Sequence, residues 1–194
     1  MKTTKQANLL LLLTLFSVLA LPKAFAEQER SVQQQGAELI QAFSSELKSN
    51  LQKAIKTGGL SNGVEVCAVK APEIAAKNSQ GNWQVKRTSL KVRNPLNAPT
   101  PAELKVLQAF ESGKAGGKAI SDLSYYRVED QGKQRVHHLM QAIPTQALCL
   151  ACHGESLSQE LQAVLHERYP EDQATGFKEG DIRGAFSLIY TENK

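Results

Sequence analysis

The chain has 194 residues, with 23 lysines and arginines against 19 aspartates and glutamates and a nominal charge of +4. That length suits one domain able to bury a substantial core, and so slight a charge excess argues against a nucleic-acid partner. Three cysteines are an odd number, so at least one sulfur has no disulfide partner within the chain.

The first 26 residues read as an export signal. Lys2 and Lys5 precede an apolar run from Leu9 to Leu21, and Ala24-Phe25-Ala26 offers a small-residue cleavage site before Glu27. The run is short for a membrane-spanning helix, which needs about 20 residues. Cleavage after Ala26 is expected, leaving 168 residues with 20 basic and 19 acidic groups. No later stretch reaches spanning length, so a soluble domain over residues 27–194 in an exported space such as the periplasm is expected.

From Ser31 to Thr57, Ile40, Phe43, Leu47, Leu51 and Ile55 recur at steps of three and four, one stripe of an amphipathic helix that Gly58-Gly59 should stop. The stripe either packs on the chain's own core or faces a second copy in a homodimer. Ser61 can cap a second helix carrying Val64, Cys67, Ala68 and Ala71, which Pro72 kinks or restarts. Trp83 to Leu90 has strand character, and the segment 93–99, with Pro95 and Pro99, reads as a rigid loop. Thr100, Pro101 and Glu103 form a capping box ahead of a helix to Glu111.

Two strands follow, Ala119 to Val128 and Gln134 to Ile143, with a turn around Asp130-Gln131-Gly132. Alternation sends Val136, His138 and Met140 to one face of the second strand, and His137 and Leu139 to the other. Ser158 to Arg168 reads as a helix, and Asp181 to Tyr190 as a closing strand. An antiparallel sheet with helices grouped about it gives an α+β fold.

The chemistry is concentrated in Cys149-Leu150-Ala151-Cys152-His153. Two thiols at this spacing reach the two vinyl groups on one porphyrin edge, and the adjacent imidazole can turn under the iron, so the motif reads as attachment of one covalent haem c. Two competing readings each lack a part. A thioredoxin-like pair would sit near a βαβ pattern and needs no histidine, and a structural zinc site wants a fourth ligand, while a plain disulfide across this tight loop stays open. With Cys149 and Cys152 on haem and His153 as proximal axial ligand, Cys67 is the odd sulfur.

For the second axial position the residues leave four candidates: Cys67, Met140, His138 and His166. A lone thiol in an oxidising space survives by burial, by bonding to another chain or by binding metal, and for Cys67 plain burial and ligation both stay open. The haem carboxylates need donors, for which Arg87 and Arg93 come first, then Asn94 and Asn97, with Arg183 a weaker candidate.

The usual small cytochrome is all helical with its haem motif near the amino terminus, and this chain is neither. Glu65-Val66-Cys67 with Ala71-Pro72-Glu73-Ile74-Ala75, Arg87-Thr88-Ser89-Leu90-Lys91, the segment from Arg93 to Pro99, Cys149 to Gly154, Tyr169-Pro170-Glu171-Asp172 and Gly180 to Ala185 together resemble a family of c-type haem domains of unknown function. The resemblance spans nearly all of the chain after the signal. It implies a PAS-like fold and a His/Cys axial pair with Cys67 as the distal ligand.

A thiolate ligand stabilises ferric iron, and its loss on reduction would open a site for a diatomic gas, so a redox or gas sensor signalling through a separate partner protein is expected. Two alternatives remain: a closed six-coordinate electron carrier, and a peroxidase-like enzyme using His138, for which no further catalytic constellation is visible.

Overall fold

The computed structural model describes residues 31–194. The expected signal and its cleavage site therefore lie outside the described residues. Helix α1 spans Val32–Glu65 and begins with a reciprocal cap, Ser31 Oγ accepting from the Gln34 backbone and the Gln34 side chain accepting from the Ser31 N–H. The glycine pair does interrupt it: Gly58 (φ −149°) and Gly59 (φ 71°) leave helical geometry, and the second conformation is open only to glycine. Helical winding resumes at once, so Ser61, expected to cap a second helix, lies inside it.

The chain then widens into a π-helical turn, Val66–Lys70, which contains Cys67, with Ala71 N–H donating to Val66 O. Helix α2, Ala71–Asn78, restarts with Pro72 in its first turn, where a missing N–H costs nothing. Strand β1 is Trp83–Thr88, and a short 3-10 turn, Pro95–Asn97, follows with Asn94 as its cap. Helix α3, Pro101–Ala115, carries the capping box of Thr100 and Glu103 as expected.

The next segment departs from expectation at its start. Ile120–Asp122 is a 3-10 turn, and β2 runs only from Ser124 to Gln131. The hairpin turn to β3, Gln134–Pro144, is the pair Gly132-Lys133, because Gln131 still pairs with Gln134 and Gly132 (φ 63°) supplies the left-handed residue. Helices α4, Ala147–His153, and α5, Gln159–Arg168, precede the closing strand β4, Ile182–Asn193.

The four strands form one antiparallel sheet in the order β1-β4-β3-β2. One face packs Met140, Ala142 and Ala185 against Val106, Leu107 and Phe110 of α3. The other packs Val85, Leu139, Phe186 and Leu188 against Phe43 of α1 and Ile74 of α2, with Ile40 and Leu47 of the α1 stripe alongside. A third cluster joins Val64 to Leu161, Leu165 and Tyr169, tying α5 to the end of α1. This is the expected α+β, PAS-like arrangement with a long amino-terminal helix. Among the described residues no helix is long and apolar enough to cross a membrane.

Candidate haem site

Between the α1 face of the sheet and α4 lies a cavity of about 480 Å³, within the range of about 300–1,000 Å³ usual for cofactor sites. Its apolar wall includes Ile40, Leu51, Ile55, Ile143 and Phe186, so the lower half of the α1 stripe faces the cavity. Cys67, Cys149, Cys152 and His153 line it, as do Arg87, Arg93, Asn94, Asn97 and Arg183. The fold thus gathers at one cavity residues that are more than a hundred positions apart.

Cys149 and Cys152 stand three residues apart on α4, hence on one face of that helix. None of the three cysteines is in a disulfide. Burial pushes the Cys152 thiol up, with nearby Cys67 adding to the effect.

His153 ends α4. Its Nδ1 lies 2.7 Å from the carbonyl oxygen of Ala174, so Nδ1 carries the proton and Nε2 keeps a free lone pair. Burial holds the imidazole well below the usual histidine value, and Arg183 and Arg93 reinforce this. The neutral ring is the form that ligates metal. Gly154 then lets the chain leave α4 tightly, since a Cβ there would sit 2.6 Å from Leu150 O.

The Ala174 carbonyl is itself fixed. Arg93, 7% exposed, donates from Nη2 to Cys152 O at 2.7 Å and to Ala174 O at 3.2 Å, and from Nε to Asp172 Oδ2 at 3.0 Å. Asp172 Oδ1 accepts from Ala174 N at 2.8 Å, while Gly176 N and Phe177 N donate to Gly154 O and His153 O. Arg93, expected at a haem carboxylate, therefore spends these donors holding α4 against the 172–177 segment. Asn94 lines the cavity, but its Oδ1 accepts from Leu96 N as a turn cap.

Arg87 behaves differently. Among the described residues its guanidinium has no hydrogen bond or ion pair, and it lies 5.7 Å from the Phe43 ring centroid. Burial lowers its pKa. Arg183 donates to Ser89 Oγ at 3.1 Å and stacks 5.1 Å from Phe177. Burial, then repulsion from Arg87 and Arg93, brings Arg183 down to about 10. Two desolvated, mutually repelling cations at one cavity are costly unless an anion joins them.

The other candidates for the iron do not line this cavity. Met140 is 1% exposed and packs in the cluster against α3, on the opposite sheet face. His138 shares that face and hydrogen-bonds Ser187 Oγ at 3.1 Å. His166 is exposed on α5.

The residues present suit a porphyrin with two carboxylates: a paired-thiol helix, a neutral imidazole with a free nitrogen, a third thiol, two unneutralised arginines and apolar walls. A family model matches residues 21–191. The chain belongs to the Tll0287-like family. The crystal structure of the cyanobacterial heme-protein Tll0287 is similar at 25% identity with a TM-score of 0.57, covering 82% of this chain and 95% of that one. No curated protein matches.

In this Tll0287-like domain, sequence reasoning missed the Arg93–Asp172 clamp and the role of Ala174. Asp172 was visible only as part of a family motif. Ala174 acts through its backbone oxygen, which carries no signature in sequence.

Proposed function

We propose that this is an exported monohaem c-type protein, with thioether bonds from Cys149 and Cys152, His153 as proximal ligand and Cys67 as distal ligand, acting as a redox or gas sensor. The observation that carries this reading is the convergence of Cys67, the Cys149/Cys152/His153 helix and the two unneutralised arginines on one cavity. Export fits the apolar run and cleavage site of residues 1–26, and the periplasm fits the compartment in which free thiols need a partner.

When bound, the haem supplies a one-electron iron couple that a His/thiolate pair sets lower than a His/Met pair would. The protein's own groups do the rest. His153 is held by Ala174 O in the tautomer that presents Nε2. Arg87 and Arg183 supply the charge for two carboxylates, in place of the expected Arg87 and Arg93. Cys67 rides on a π-helical turn, joined to the body of α1 through Gly58-Gly59, so its segment can shift without breaking a continuous α-helix. A shift of that segment would carry Cys67 away from the cavity, and signalling would then need a separate protein partner.

The test is the ferric protein matured in a host competent for cytochrome assembly. Its mass should include one haem, its amino terminus should be Glu27, and its paramagnetic-resonance spectrum should show low-spin thiolate ligation that Cys67→Ala abolishes. An unchanged spectrum in that variant removes Cys67 as ligand, and colourless protein of bare mass overturns the whole reading. Carbon monoxide added to the reduced form should bind. Failure to bind would make the protein a closed electron carrier.

A further inference from the structure

Away from the cavity, the sheet register sets a row of rings across all four strands. Trp83 on β1 pairs with Tyr190 on β4, Tyr190 pairs with His137 on β3, and Tyr126 on β2 lies diagonal to His137 because Val128 is its direct partner. Alternation puts them on one face. Their centroids are 4.9 Å apart for Trp83–Tyr190, 5.7 Å for Tyr190–His137 and 6.0 Å for His137–Tyr126.

Within this row stands a hydrogen-bonded triad. The Tyr126 hydroxyl is 2.8 Å from His137 Nδ1, and His137 Nε2 is 3.1 Å from Glu192 Oε2. An ionised carboxylate only accepts, so the imidazole proton sits on Nε2 and Nδ1 accepts from the phenol. Among the described tyrosines, Tyr126 is the one whose hydroxyl has a hydrogen-bond partner. His137 is shielded at 7% exposure, whereas Tyr126 is open to solvent at 38%.

We propose that Tyr126 is a redox-active tyrosine, with His137 as its proton acceptor and Glu192 as positioning residue, serving as a one-electron donor to strongly oxidising radicals reaching this face. A phenol that loses an electron alone becomes a strongly acidic radical cation, and a base already in contact removes that penalty. The step balances. One electron leaves the phenol and reduces the oxidant by one, the Tyr126 O–H bond breaks, and its proton forms an N–H bond at His137 Nδ1. The products are a neutral phenoxyl radical and an imidazolium facing the Glu192 carboxylate. This reading stands apart from the haem proposal, since none of the three residues lines that cavity.

The experiment uses the mature holoprotein with flash-generated ruthenium(III) polypyridyl as oxidant and freeze-quench paramagnetic resonance as readout. The wild type should give a neutral tyrosyl signal that disappears in Tyr126→Phe while Tyr125, Tyr169 and Tyr190 remain. His137→Gln keeps a donor and an acceptor but loses the base, so oxidation should slow about a hundredfold, the lower end of what a positioned base contributes. It should also lose the solvent deuterium isotope effect seen in the wild type. Glu192→Gln should slow it less. Unchanged radical yield in Tyr126→Phe, or wild-type rates in a folded His137→Gln protein, would overturn the proposal and leave the triad a structural hydrogen-bond chain.

Discussion

Removing the Asp172 carboxylate should unfasten the haem-motif helix. Arg93 and Asp172 form an ion pair at 2.9 Å with side chains only 6% and 11% exposed. In Asp172→Ala the guanidinium stays buried beside the carbonyls of Cys152 and Ala174 with no counter-charge, and the Ala174 N–H loses its acceptor. Breaking a buried pair from one side costs about 3–5 kcal/mol. For a domain of this size that lowers Tm by about 6–20 °C. Thermal and urea unfolding of the haem-loaded protein would measure it. The double variant Arg93→Met/Asp172→Leu should lose less than the sum of the two single changes, because no charge is then stranded. The His153 imidazole hangs on the same Ala174 carbonyl, so the single variant should also disturb the ferric spectrum. A loss below about 1 kcal/mol, the range of an exposed pair, would refute the clamp.

Three further outcomes are expected. Gly154→Ala forces a Cβ to within 2.6 Å of Leu150 O, and should cost about 1–3 kcal/mol in urea unfolding while lowering the yield of attached haem. Arg87→Gln should raise the unfolding free energy of haem-free protein in urea by on the order of 1 kcal/mol, since it removes a desolvated cation that repels Arg183, yet weaken the haem-loaded form; a haem-free protein that instead becomes less stable contradicts this. Burial holds His138 below its ordinary 6.5, so its contribution to stability is complete above that pH and is lost as the pH falls from 6.5 toward the lowered value. Urea midpoints at pH 7.5 and 5.5, with a proton NMR titration of the ring, check this, and His138→Gln should flatten the slope.

The sequence by itself determined the local features of this protein. The Cys149/Cys152/His153 spacing works through neighbours on one short helix, the Thr100/Glu103 cap lies within a single turn, and strand alternation sorted His137 from His138 and Met140. Each depends on residues close along the chain, where backbone geometry alone dictates who meets whom. Tertiary structure decided the rest. It put Met140 and His138 on the face away from the cavity, diverted Arg93 to Asp172 seventy-nine positions away, brought Arg183 beside Arg87, and aligned Tyr126, His137 and Glu192 across three strands. Those partnerships depend on how distant segments pack, through sheet order and register for the strand residues and through loop contacts for Arg93 and Asp172, and are therefore not written in any local pattern.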